Sequence, residues 1–227
     1  MSSEKQSIQN KQKKRSTAKV AVVSRKGGVG KSALAREIGF FLSETYEQVT
    51  LYDVDPRGAQ ESVILSDRIN VEKVQLEDRI PFKENEIAIY DFASEPDKRL
   101  KIVLKECDLI VIPFTSDLDS LLRTMDTYSY VRNYQDQVLF VCNIYRDIKK
   151  VDESKEALQA EIENCPELLV MPLKSYQGIA TAGEEGVSVL DIYNKGGVFK
   201  RSYTPIKKQL EAIMEVIEEV IDESNSK

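Results

Sequence analysis

Six short runs made almost wholly of apolar residues recur along this chain: "KVAVVS" (19–24), "VTLYDVD" (49–55), "EIAIYDFA" (86–93), "DLIVIPFT" (108–115), "QVLFVCNI" (137–144) and "ELLVMPL" (167–173). A strand with one face in water alternates apolar and polar residues, whereas a strand covered by helices on both faces reads as a continuous apolar run. Stretches of helical period separate the runs. "SALAREIGFFLSETY" is the first, and "SDLDSLLRTMDTYSYVRNY" opens on a Ser/Asp cap signal. "VDESKEALQAEIENC" has acids in its first turn and ends before Pro166. A last helix over Pro205–Asp222 places Ile206, Leu210, Ile213, Met214, Ile217, Val220 and Ile221 on one face. The fold class predicted is α/β, a mostly parallel twisted sheet with helices on both faces.

At 227 residues the chain suits one such domain. Residues 1–17 lack hydrophobic periodicity and read as a disordered basic tail, which leaves 18–227 as the folded unit. Residues 1–19 hold six Lys/Arg against one acid, a local +5, and the rest of the chain carries −11. No apolar run has the ~20 residues that a transmembrane helix needs, and no signal-peptide pattern opens the chain, so the expected location is the cytoplasm. The three cysteines, Cys107, Cys142 and Cys165, are an odd number and read as reduced. Histidine and tryptophan are absent. This excludes His-based acid–base chemistry, His-containing triads and the commonest zinc ligand, leaving carboxylates, lysines and backbone dipoles.

The first apolar run leads into "RKGGVGKS" and then a helix, the strand–loop–helix context that a phosphate-binding loop requires. Gly27, Gly28 and Gly30 let the N–H groups of the loop converge on phosphate oxygens, with Val29 and Ala33 in the same cradle. Lys31 supplies a point charge, and the Ser32 hydroxyl can ligate Mg²⁺. A strict loop of this kind has glycine where Arg25 stands, and here a second lysine, Lys26, follows it.

On "KGGVGKS" the chain resembles the ParA/MinD ATPases, P-loop NTPases with a deviant Walker A motif marked by an additional lysine. The resemblance implies ATP and Mg²⁺ as cofactors and a homodimer formed on ATP binding, in which Lys26 reaches the partner's nucleotide. A solvated lysine beside a loop is the alternative. Phosphoryl transfer spreads negative charge in the transition state, so a cation delivered by a second subunit couples hydrolysis to dimerisation.

"LYDVDPRGAQ" is similar to the switch I sequence of that family at Asp53, Asp55, Pro56 and Gly58, with Arg57 where the family usually has glutamine. The resemblance implies that Asp55 positions or activates the attacking water and that Asp53 shapes the Mg²⁺ environment. Asp91 ends an apolar strand, the position of an acid that holds Mg²⁺ through water, and "FASEP" replaces the usual switch II continuation. Asn143 stands where the family commonly contacts adenine, a generic turn asparagine being the competing reading. Pro172 and Leu173 are the implied purine neighbours. The resemblance extends over about nine-tenths of the chain.

The expected function is a weak, partner-stimulated ATPase of plasmid or chromosome partition, with a centromere-binding, ParB-like protein and non-specific DNA as partners. Candidate DNA contacts are Arg146, Lys149, Lys150, Lys174, Lys195, Lys200, Arg201, Lys207 and Lys208, against the reading of scattered solvated lysines. DNA binding would place the protein on the nucleoid. The alternatives are a positioning or conjugation-associated ATPase that recruits a protein complex without DNA, and a nucleotide-gated binding module with little hydrolysis. The ending "EAIMEVIEEVIDESNSK" has an acidic polar face, which argues against docking on an anionic membrane.

Overall fold

The computed structural model describes residues 13–55, 68–75, 78–94, 98–143, 147–162, 168–169 and 176–226. Seven strands alternate with helices: β1 (Ala18–Val22), α1 (Lys31–Thr45), β2 (Val49–Asp53), β3 (Asn70–Lys73), β4 (Ile87–Asp91), α2 (Leu100–Glu106) and β5 (Leu109–Phe114). Then follow α3 (Leu118–Val131), β6 (Val138–Cys142), α4 (Ile148–Glu161), β7 (Leu168–Leu169), α5 (Tyr176–Glu184), α6 (Val189–Asn194) and α7 (Gly197–Ser224). The strands form one sheet in the order β3-β2-β4-β1-β5-β6-β7, and every neighbouring pair is parallel. This is the predicted architecture. All six apolar runs contain a strand, and every residue of β2, β4, β5 and β6 is buried.

The core has two halves, one on each face of the sheet. One packs α1, α5, α6 and α7 against Val20, Val22, Leu51, Ile89 and Val111. The other packs α2, α3 and α4 against Ala21, Tyr52, Tyr90, Ile112 and Phe140. Successive side chains of a strand point to opposite faces, so neighbouring strands in register sort their residues between the two halves.

β3 is an addition to the sequence reading: "NVEK" lies on the sheet edge, half-buried at Val71 and otherwise exposed, and has no apolar run to announce it. The last helix differs too. It begins eight residues before Pro205, which sits inside it. A helical proline removes one backbone donor, but Pro205 is exposed, so the carbonyl left without that donor has access to water. Six of the seven predicted apolar positions of this helix are buried, and Val220 is half-buried.

Residues 14–17, assigned to the tail by composition, are tied to the body. Lys14 pairs with the backbone of Thr45 and Glu47, Arg15 meets Glu47 at 2.7 Å, and Asn85 N–H donates to Thr17 Oγ1. Cys107 and Cys142 are buried free thiols, and burial pushes both up to about 12. Cys165 lies outside the described residues.

Candidate functional site

β1 lies between β4 and β5, so the chain leaves it in one direction through β2 and β4 and in the other through β5 and β6. Open α/β sheets bind ligands beyond the carboxyl ends of their strands at such a switch of direction. The loop after β1 occupies that place. Gly28 (φ 77°) and Gly30 (φ 83°) are in the left-handed region that side chains disfavour, so glycine is required at both. Arg25 is not, which explains how the loop accepts an arginine there; its N–H donates to Thr127 Oγ1 of α3 at 3.1 Å.

α1 starts at Lys31 with Gly30 as its cap residue, without a side-chain cap and without acids in its first turn. Its first N–H groups and its dipole are therefore directed at whatever the loop encloses, an arrangement suited to an anion. Gly27 and Gly28 are exposed on the rim, Ser32 and Ala33 are half-buried, and Val29 is buried. Lys31 is buried. Its Nζ donates to the carbonyl of Lys26 at 3.3 Å and to Ser94 Oγ at 2.6 Å. Burial lowers its pKa, opposed by the charges of Asp91 and Asp55.

Asp53 and Asp91 are register partners at the ends of adjacent strands, and Val22, the last residue of β1, is aligned with Asp91. Alternation puts both carboxylates on the α1 face of the sheet. Both are buried. Burial, with the charge of Asp91 beside it, raises the Asp53 carboxyl to about 6. Asp55 is half-buried just past β2, and its N–H donates to Asp53 Oδ1 at 3.1 Å. The structure thus brings Lys31, Asp53, Asp55 and Asp91 to one strand-end cluster.

Asn143 is buried, and its Nδ2 donates to the Val29 carbonyl at 2.7 Å, bracing the phosphate loop from the far side of β1. Its Oδ1 is buried and accepts no hydrogen bond among the described residues. Pro56, Gly58, Pro172 and Leu173 lie outside the described residues, as do Arg57, Arg146 and Lys174. Lys26 behaves unlike Lys31. Its side chain leaves the loop and meets Asp119 Oδ2 at 2.7 Å, in the first turn of α3.

Two contacts of the site were not anticipated. Ser94 holds Lys31, and the only trace of it in the sequence is its place in "FASEP" after the Asp91 strand. Asp119 holds Lys26; it is one of the chain's many acids and had no distinguishing signal.

Of the basic candidates, Lys149, Lys150, Lys195, Lys200, Arg201 and Lys208 are exposed. Lys195 pairs with Glu185 at 3.1 Å, and Lys207 pairs with Glu211. No helix among the described residues is long and apolar enough to cross a membrane.

Residues 20–223 match the family described as the CobQ/CobB/MinD/ParA nucleotide binding domain. No curated protein sequence matches the chain. Among solved structures it is similar to a McdA variant of Cyanothece in complex with ATP, at 14% identity and a TM-score of 0.66, covering 90% of this chain and 98% of that one. MinD of Pyrococcus horikoshii OT3 complexed with Mg-ADP is similar at 19% identity and 0.60, with 90% and 96% covered. A putative plasmid partition protein of Borrelia burgdorferi B31 bound to AMPPNP is similar at 15% and 0.59, with 86% and 99% covered. At these identities the likeness is one of fold. With the family match spanning nearly all of the described domain, the chain belongs to the CobQ/CobB/MinD/ParA family of nucleotide-binding ATPase domains.

Proposed function

We propose that this protein is a Mg²⁺-dependent ATPase of the ParA type that dimerises around ATP and acts in plasmid or chromosome partition, with a ParB-like, centromere-binding partner and non-specific DNA. The observation that carries the reading is the separation of the two loop lysines. Lys31 is buried among Ser94, Asp91 and Asp55, and Lys26 is turned outward onto the exposed rim. In this reading Lys31 serves the nucleotide of its own subunit, and Lys26 serves a neighbour's.

The residues fit the cofactors. Two buried carboxylates side by side, one raised by burial and then by the charge of the other, are a site that a divalent cation would relieve. No group of three His, Cys, Asp or Glu among the described residues could hold a metal by itself. That suits Mg²⁺, which keeps several waters and is bound by one or two carboxylates together with phosphates. Ser32, Asp53 and Asp91 would hold it, and when bound it neutralises charge developing on the phosphates. Lys31 and the loop N–H groups orient the phosphate chain. Asp55 accepts a proton from, or orients, the attacking water. Asn143 would contact the base through its Oδ1, and Pro172 and Leu173 would flank the purine.

DNA binding titrated against salt, with ATP and with ADP, tests the partition reading. ATP-selective binding that weakens steeply with salt is expected, because each phosphate contact releases counterions. The pairing of Lys195 and Lys207 with acids favours a second reading, an ATPase that recruits a protein complex without touching DNA. Absence of DNA binding at low salt would select it. Lys26→Ala is expected to weaken ATP-dependent dimerisation measurably and to remove most of the turnover while sparing nucleotide binding. A Lys26→Ala protein that still dimerised and hydrolysed normally would refute the role of that lysine.

A further inference from the structure

Lys26 is anchored at both ends. Its backbone carbonyl accepts from the phosphate lysine Lys31, and its Nζ lies 2.7 Å from Asp119 Oδ2 on α3. The other oxygen of Asp119 is 3.9 Å from Arg123, one turn along the helix, and Arg123 is 3.7 Å from Asp126. The same side of α3 carries two leucines that stand exposed among the described residues. Leu118 is 72% exposed and Leu122 53%, while Leu121, Thr124, Tyr128 and Val131 fill the buried side. Leucines one turn apart in water, beside the residue that holds the rim lysine, are an unpartnered face.

We propose that Asp119 is a positioning residue that retains Lys26 on its own subunit, and that the α3 face carrying Leu118 and Leu122 is what a second copy of this chain covers when Lys26 is given up to it. The proposal rests on the dimer reading above. Charge selects the occupant. Arg123 and Asp126 lie beside the Lys26–Asp119 pair and are opposite in sign, so two copies related by a two-fold axis can set Asp126 of each against Arg123 of the other. A polyanion would meet the carboxylates of Asp119 and Asp126 on this face. The hand-over strands no charge, since Arg123 is already beside the carboxylate that Lys26 leaves. The hold is also weak enough to exchange. Ion pairs between side chains this exposed shift an equilibrium only by a factor of about two to five, so Asp119 biases the dimer and does not lock it out.

The test is the monomer–dimer equilibrium of the full chain by sedimentation with Mg²⁺ and AMPPNP. Asp119→Asn is expected to tighten the dimer roughly two- to five-fold, and Asp119→Glu to restore the wild-type value. In a Lys26→Gln background Asp119→Asn should add nothing, an outcome that a purely structural role for Asp119 would not give. Leu122→Ser should weaken the dimer about tenfold or more. A dimer unchanged by Asp119→Asn, or tightened equally without Lys26, overturns the retention of Lys26. A dimer indifferent to Leu122→Ser overturns the α3 surface. A wild-type protein that stays monomeric with AMPPNP overturns the dimer reading and this proposal together, whereas failure of the variants alone leaves the dimer reading standing.

Discussion

On one face of the sheet the P-loop helix α1 is tied to its neighbours by directional polar contacts, and on the other the covering helices rest on a bed of aromatic rings. Arg36 and Glu37 of α1 are both buried. Arg36 donates to the Ile179 carbonyl of α5 at 2.8 Å, and Glu37 Oε2 accepts from the Val189 N–H that opens α6 at 3.0 Å. Arg68, just before β3, pairs with Asp191 of α6 at 2.6 Å and with Glu44 of α1. Opposite, Tyr52 stacks on Tyr90 at 5.3 Å and Phe140 meets Tyr128 at 5.4 Å. Apolar contact is non-directional and tolerates small shifts, whereas a buried ion pair has one good geometry. The face that sets the position of Lys31 and Ser32 is the one fixed by geometry, and the face that meets Lys26 is fixed by volume.

The largest effect expected is on the aromatic face. Phe140→Ala removes a fully buried ring from the middle of β6 and should lower unfolding free energy by about 3–5 kcal/mol in a denaturant titration, with nucleotide affinity of the folded fraction kept. A loss below about 1 kcal/mol would mean that this half of the core collapses around the gap and is not close-packed.

The polar face should respond differently, through pairs. Arg36→Met leaves Glu37 buried without its cation, and at pH 8 it should cost about 3 kcal/mol. The double variant Arg36→Met/Glu37→Gln should return to within about 1 kcal/mol of wild type, because an apolar and amide pair no longer has charge to desolvate. Equal losses in single and double variants would show that the pair is not what joins α1 to α5 and α6.

Glu37 also gives the face a pH dependence. Burial, countered by Arg36, raises its carboxyl from 4.5 to about 7. The folded protein then binds the proton more tightly than the unfolded chain, so the contribution is complete below 4.5 and lost as pH rises through 7. Unfolding free energy should fall by on the order of 2 kcal/mol from pH 5 to pH 8. Asp53, raised to about 6, adds a slope of the same sign. Glu37→Gln should flatten the profile to the share that Asp53 leaves, and an unchanged profile would remove Glu37 as its source.

Much of this molecule is legible in its sequence for one reason: central parallel strands are buried on both faces, so β2, β4, β5 and β6 announce themselves as unbroken apolar runs. The P-loop is legible because its glycines answer to backbone geometry, as Gly28 and Gly30 show. β3 is not legible, since an edge strand with exposed residues needs no apolar run. Pro205 concealed the first turns of α7, because a proline stops a helix only where the freed carbonyl and the ring cannot be accommodated. The acids of the site could be placed by strand ends, but Ser94 and Asp119 could not. Both act by meeting a lysine distant in sequence, and a serine after a strand or an acid in a first turn carries no mark of the lysine it will meet.

The smallest effect expected lies on the outer surface of α3. Leu122→Ser replaces an exposed leucine by a poorer helix former, at a cost of about 0.5 kcal/mol or less. The melting temperature of the protein without nucleotide should therefore move by no more than about 1–2 °C. Truncation at Phe140 on the same side of the sheet lowers stability because that ring belongs to the core, whereas Leu122 contributes little to the isolated fold. A several-kcal/mol loss at Leu122 would place it in the core of the single chain and erase the distinction between the packed and the unpartnered sides of α3. A silent melting curve would mean that the leucine is retained for something other than the stability of one copy.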